Sequence, residues 1–185
     1  MSETGNDYSD VEDLPPLVRR AAKLAERFEF KNSCALAYVP LLRTLAAQVR
    51  GGAIAEMGTG VGIGTSWIAL ATSDDTKIVT IDIDEARTAA VRDMFEARRN
   101  ITVLRGDALE IASHGPFDLV YCDAGPGKTN DQEETIAMTK PGGLIYLDDL
   151  GPTRTDLDWW LESDAVFVST VWVTPELGAI LAVKR

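Results

Sequence analysis

Three aspartates stand at the ends of two apolar runs, Asp123 closing "FDLVYCD" and Asp148 with Asp149 closing "GLIYLDD". Parallel neighbours in a sheet lie about 4.8 Å apart, so acids at two adjacent strand tips can converge on one point. An oxygen-only set of this kind favours a hard cation, Mg²⁺ or Ca²⁺. A basic partner is the other way to hold crowded carboxylates together, and Lys128 and Arg154 are the nearby candidates in sequence. A second concentration of chemistry is "EMGTGVGIGT", residues 56–65, with four glycines in seven positions directly after a short apolar run. Glycine costs conformational entropy and fills regular structure badly. Such a cluster therefore means that another backbone or a ligand comes very close.

The elements that position these residues follow from periodicity. "MSETGNDYSDVED", residues 1–13, is acidic with few large apolar residues and is expected to be a disordered tail. Apolar residues recur at helical spacing from Pro15 to about Phe28, and again from about Ala35 to Arg50 with Ser33 as a cap. Then come five β-favouring runs, "AIAEM", "KIVTID", "ITVLR", "FDLVYCD" and "GLIYLDD", separated by helical or loop stretches. The last of these, "NDQEETIAMTK", opens with Asn130 and has Glu133 three residues on, a helix-start signature. Alternation of this type predicts a doubly wound α/β fold with a mostly parallel sheet covered on both faces. "AVFVSTVWV" and "GAILAVKR" are joined only by "TPEL", which is too short for a crossover helix and predicts an antiparallel pair. No linker interrupts residues 14–185, so one domain is expected.

Composition narrows the function classes. The chain has 185 residues, 45% hydrophobic and 25% charged, with a net charge of −11. That charge argues against a protein that grips a nucleic-acid backbone. No apolar run approaches the roughly 20 residues of a membrane span, and the first residues are not signal-like, so a cytoplasmic location is expected. Cys34 and Cys122 are too few for a disulfide scaffold and are expected to be reduced thiols.

In a doubly wound sheet, ligands sit beyond the carboxyl ends of the strands. The glycines follow the first strand, so a nucleotide-like ligand is expected against them. A dinucleotide fingerprint G-x-G-x-x-G would end at Ile63 or Thr65 and does not fit. An acid-x-G-x-G-x-G pattern does fit, running from Glu56 through Gly58 and Gly60 to Gly62. Asp82 ends the next strand about 20 residues on, where a carboxylate can take ribose hydroxyls. The chain resembles the class I S-adenosylmethionine-dependent methyltransferases, and within them the small bacterial O-methyltransferases similar to catechol O-methyltransferase. The motifs carrying the resemblance occur in order: "AEMGTGVGIGT", "VTIDID", "RGDALE", "FDLVYCDAG" and "KPGGLIYLDDL".

The resemblance implies a seven-stranded sheet with an antiparallel last strand, and S-adenosyl-L-methionine as cofactor. It implies that Gly58, Gly60 and Gly62 lie against the methionine moiety with Glu56 near its amino group. It further implies that Asp82 holds the ribose, and that Asp107 with the Ala108 backbone reads the adenine edge. Asp82 and Asp107 have a simpler reading as caps of the helices that follow them. Asp123, Asp148 and Asp149 match positions that bind a divalent metal in the family, where the metal grips neighbouring substrate oxygens and activates the attacking hydroxyl. The resemblance implies a small hydroxylated molecule as the methyl acceptor, aromatic ones included. Relatives are often dimers, so the resemblance allows a homodimer.

Two departures matter. The fifth-strand pair is Asp148-Asp149 where the family commonly has Asp-Asn. The lysine that serves as general base usually sits three places after the fourth-strand aspartate, where this chain has Pro126, and Lys128 lies two further on. Lys128 is accordingly a candidate base or an ordinary surface lysine, and a chain that binds the cofactor without methylating anything is the alternative function. "GPGKT", residues 125–129, looks like the end of a phosphate-binding loop, but the full pattern needs glycine at the position held by Cys122. His114 lies in a polar turn and is expected to be exposed. Trp159 and Trp160 either wall an aromatic pocket or pack on the core.

Overall fold

The computed structural model describes Tyr8 and residues 11–125, 127–150 and 157–185. Its strands are β1 (Ala53–Met57), β2 (Lys77–Asp82), β3 (Ile101–Arg105), β4 (Phe117–Cys122), β5 (Thr139–Leu150), β6 (Val166–Trp172) and β7 (Gly178–Lys184). They form one seven-stranded sheet in the order β3-β2-β1-β4-β5-β7-β6. The first five run parallel, and β7 is antiparallel to both of its neighbours, β5 and β6. The doubly wound fold and the antiparallel final hairpin expected from the sequence are both present.

Strand alternation sorts the apolar residues onto two faces. Ile54, Ile78, Val103, Leu119, Tyr121 and Tyr146 pack under α1 (Pro16–Phe28), α2 (Val39–Ala46), α3 (Ile63–Ala71) and α4 (Glu85–Met94). Ala55, Met57, Val79, Ile81, Val120, Cys122, Ile145 and Leu147 form the second core. That face is covered by a 3-10 turn (Ala108–His114), α5 (Gln132–Ala137) and α6 (Leu157–Glu162), which contribute Ile111, Ile136 and Trp160. Both cysteines are buried free thiols. No helix among the described residues is long and apolar enough to cross a membrane.

Three local expectations change. The helix expected over 35–50 is a 3-10 turn (Leu36–Tyr38) followed by α2, which ends at Ala46, with Pro40 in its first turn. Proline fits that position because its missing N–H has no helical partner there. Ser33 therefore caps nothing, and its hydroxyl is buried without a hydrogen-bond partner among the described residues. At α5 the cap position belongs to Asp131, in a left-handed conformation (φ 59°) with no side-chain cap, rather than to Asn130. The tail expected over 1–13 lies largely outside the described residues. Within it, Tyr8 is buried and donates its hydroxyl to the Cys34 carbonyl at 2.7 Å.

One residue of β1 sets a constraint on the whole. Glu56 is fully buried on the α3 side of the sheet. Its Oε2 accepts from the hydroxyls of Thr65 on α3 and Thr80 on β2, the latter at 2.6 Å. Its Oε1 has no hydrogen-bond partner among the described residues. Burial pushes its pKa up to about 7, against the two threonine hydrogen bonds, which lower it. Because the folded value lies above the ordinary 4.5, the folded state holds this proton more tightly. The contribution is fully present below about 4.5 and is lost as pH rises through about 7. We expect the melting temperature to fall across that window. Glu56→Gln, which keeps the threonine acceptor and removes the charge, should flatten the decline and gain on the order of 3 kcal/mol over wild type at pH 8. Parallel pH–melting profiles for the two proteins are the check, and identical slopes would refute the assignment.

Candidate active site

The strand register brings the acids together. Tyr121 pairs with Tyr146 and Cys122 with Leu147, which leaves Asp123 and Asp148 as the next residues at the carboxyl tips of β4 and β5. Consecutive residues of a strand point to opposite faces, so Asp149 should face away from Asp148. It does not, because the β5–β7 register shifts between Leu147 and Leu150 and Asp149 adopts a left-handed backbone, φ 57°. Such bulges re-aim side chains. One carboxylate oxygen from each of Asp123, Asp148 and Asp149 lies within 4.8 Å of the others.

Asp148 is fully buried, and both its oxygens are engaged. Lys128 Nζ donates to Oδ1 at 2.5 Å, and the Tyr121 hydroxyl donates to Oδ2 at 2.5 Å. Lys128 is only 5% exposed, so it is no surface lysine. Its turn is built to aim it inward. The Lys128 N–H donates to the Gly125 carbonyl, and the Trp160 indole N–H donates to the Lys128 carbonyl at 2.9 Å. Gly127 is left-handed (φ 84°), and a Cβ there would lie 2.7 Å from Thr135 Oγ1 and 2.9 Å from Met57 Cε. The loop that looked like a phosphate cradle thus delivers a cation to an aspartate. Burial works against the ammonium, yet the charges of Asp148 and then Asp123 raise the Lys128 pKa above its ordinary value. Removal from water, and then the Asp148 charge, hold the Asp123 carboxyl well above the usual carboxylate range.

The glycine turn between β1 and α3 is tied to the tip of β2. The N–H groups of Gly58 and Thr59 donate to the Ile81 carbonyl, and the Gly60 N–H donates to Asp82 Oδ2 at 2.8 Å. Asp82 Oδ1 accepts from the Asp84 N–H at 2.9 Å and from Arg87 Nη2 at 3.0 Å. Arg87 in turn lies over the Phe30 ring, 4.7 Å from its centre. Gly58, Gly60 and Gly62 all have positive φ, at 105°, 52° and 85°. A Cβ at Gly60 would meet Phe30 at 2.9 Å, and one at Gly62 would meet Met94 at 2.9 Å. The bare backbone is required by the protein's own packing, so the glycines alone do not demand a ligand.

The site residues expected from sequence therefore fall into four groups. Asp123, Asp148, Asp149 and Lys128 meet at the β4 and β5 tips. Gly58, Gly60, Gly62 and Asp82 form the turn at the β1 and β2 tips. Glu56 lies beneath that turn, with its Oε1 facing Gly64 rather than solvent. Asp107 forms a reciprocal capping box, accepting from the Leu109 N–H while its own N–H donates to Glu110, with Ala108 opening the 3-10 turn. The cap reading weighed for Asp107 thus holds, and Asp82 anchors the glycine turn and Arg87 while the α4 cap is Asp84. Arg154 lies outside the described residues. His114 is exposed. Trp160 belongs to the core and clamps Lys128, with Trp159 edge-on to it at 5.3 Å between ring centres. Sequence reasoning missed Tyr121, Phe30, Arg87 and Ile83. Ile83 offered a signal, a large apolar residue directly after the strand-ending acid, and it is 74% exposed beside the turn.

Comparisons with known proteins agree with this geometry. A Mycobacterium avium protein, provisionally named an O-methyltransferase, is 32% identical over 118 residues, covering 59% of this chain and 53% of its own. The chain spans about half the length of the curated relatives it matches. Among solved structures, the O-methyltransferase TomG of Streptomyces achromogenes, in complex with SAM, superposes with a TM-score of 0.78 at 19% identity, covering 100% of both chains. The O-methyltransferase of Bacillus cereus in complex with SAH gives 0.77 at 18% identity, covering 95% of this chain and 94% of its own. At these identities the likeness is one of fold. The family described as Methyltransferase domain matches residues 55–150. That match opens one residue before Glu56 and closes at the end of β5, taking in all the strand tips described above, and the chain belongs to the methyltransferase-domain family.

Proposed function

We propose that the chain is an S-adenosylmethionine-dependent O-methyltransferase acting on a hydroxyl of a small molecule. The observation that carries this reading is the arrangement of the sheet's carboxyl edge, where an anchored glycine turn at β1 and β2 adjoins three converging acids at the tips of β4 and β5, one of them buried. When bound, S-adenosylmethionine supplies a methyl group on a positively charged sulfur. The residues present suit it. Asp82 has acceptor capacity for hydroxyl groups beside the turn, and a carboxylate offers about four lone-pair sites, of which three are engaged. Ile83 gives an apolar surface next to that acid for a flat ring. Asp123, Asp148 and Asp149 outnumber the single Lys128 ammonium among them, which favours a cationic ligand.

The chain's own part in the transfer falls to the acid centre. With the cofactor bound, an acceptor hydroxyl would take the methyl from sulfur and would have to give up its proton. Asp123 is the group assigned to accept it. It is half-buried at the β4 tip, and its raised pKa makes it a stronger base than an ordinary aspartate. Lys128, kept protonated by its carboxylate neighbours, is poorly suited to the base role and better suited to balancing charge near the developing oxyanion.

Calorimetric titration should show binding of S-adenosylmethionine and S-adenosylhomocysteine and none of NAD. Arg87→Ala, which frees one acceptor position on Asp82 Oδ1 but loosens the Phe30 cover, should change affinity for both ligands by the same factor, since they share the ribose. A change confined to one of them would mean that Asp82 contacts something else. With a panel of catechols and phenols as acceptors, Asp123→Asn should lower methyl transfer by about 10²–10⁴-fold while leaving cofactor affinity within a few-fold. Cofactor binding without transfer to any acceptor would favour a cofactor-binding protein that does not turn over.

A further inference from the structure

We infer that Lys128 is the resident cation of the Asp123–Asp148–Asp149 centre and occupies the role of a divalent metal, so that the centre is complete without one. The inference concerns the same site as the proposed methyl transfer, but it stands on geometry that does not require that reading.

Three carboxylate oxygens within 4.8 Å of one another make a place that attracts positive charge. The chain brings that charge itself. Lys128 Nζ sits 2.5 Å from Asp148 Oδ1, and the Tyr121 hydroxyl closes Oδ2 from the other side. The most buried carboxylate of the set is thus capped at both oxygens. A Ca²⁺ or Mg²⁺ ion needs direct oxygen contacts at about 2.0–2.6 Å. Taking such a contact from Asp148 would set a dication beside the ammonium in a site of low dielectric, where like charges repel strongly. Admitting the metal therefore means expelling Lys128. The turn resists this, because the Trp160 indole holds its carbonyl, and Thr135 and Met57 pack against Gly127. The residues fit a cation, and as folded they do not fit a divalent one alongside Lys128.

The test needs no substrate. EDTA-treated protein is dialysed and melted with and without about 10 mM Mg²⁺, Ca²⁺ or Mn²⁺, a concentration above the Kd of even weak all-oxygen sites. The wild-type midpoint should not move. Lys128→Met, which removes the charge and keeps much of the length, should gain a rise of several degrees with Ca²⁺ or Mn²⁺, and adding Asp148→Asn should abolish that gain. If Lys128→Met folds only with the ion present, the same conclusion follows from the rescue. A wild-type midpoint that climbs by several degrees with any of these ions would overturn the inference, as would a folded Lys128→Met that gains no response. Should the variant fail to fold under every condition, Mn²⁺ binding by the wild type decides. An electron paramagnetic resonance titration with no protein-bound Mn²⁺ supports the resident lysine, and a bound signal removed by Asp148→Asn refutes it. S-adenosylmethionine calorimetry on the same samples reads the proposed function separately.

Discussion

Burying a lysine against an aspartate is unfavourable unless geometry and hydrogen bonding compensate the lost hydration, and much of this molecule is arranged around meeting that condition. The Lys128–Asp148 pair lies at the carboxyl tips of β4 and β5. Removing one partner of a buried pair commonly costs about 3–5 kcal/mol, because the other charge is left uncompensated. Around this pair stand Tyr121 from β4, the bulge that turns Asp149, the left-handed Gly127 and the Trp160 indole from α6. Each is an ordinary device, and together they hold one ammonium where three acids meet.

A second buried acid lies two strands away, on β1 across β4. Burial is the main cause that pushes the Glu56 pKa up, and the charge of Asp148 is among the smaller ones. The threonines that donate to Glu56 come from α3 and β2, so the carboxyl ties β1 to both of these elements beneath the glycine turn. Thr59 and Thr80 share a further hydroxyl contact at 2.6 Å beneath the same turn. The glycine turn is thereby fixed from below, which on the proposed reading lowers the ordering cost of binding a ligand on its outer side.

Much of the frame was legible in the sequence because its signals are local or periodic. Strand runs, the glycine pattern and the short link before the last strand each carry their meaning within a few residues. The acids at the β4 and β5 tips were legible for the same reason, since strand ends can be counted. What escaped were the contacts between residues far apart in the chain. Nothing in "AGPGK" says which way Lys128 points, and its direction is decided by Trp160, 32 residues on, and Asp148, 20 residues on. The purpose of the glycines was misread in part, since Phe30 and Met94, remote in sequence, forbid a side chain before any ligand does. The expected Ser33 cap failed because the chain delays its helix until a proline can open it. Asp149 could not be placed without knowing that β5 shifts register against β7.

The account's central claim is that a cofactor turn and a self-neutralised acid centre share one edge of the sheet. A crystal structure grown with S-adenosylhomocysteine and millimolar Mg²⁺ tests it most directly. The account predicts the ligand on the glycine turn with its ribose at Asp82, and Lys128 still seated on Asp148. Ligand density elsewhere, or a metal ion among Asp123, Asp148 and Asp149 with Lys128 displaced, would contradict it.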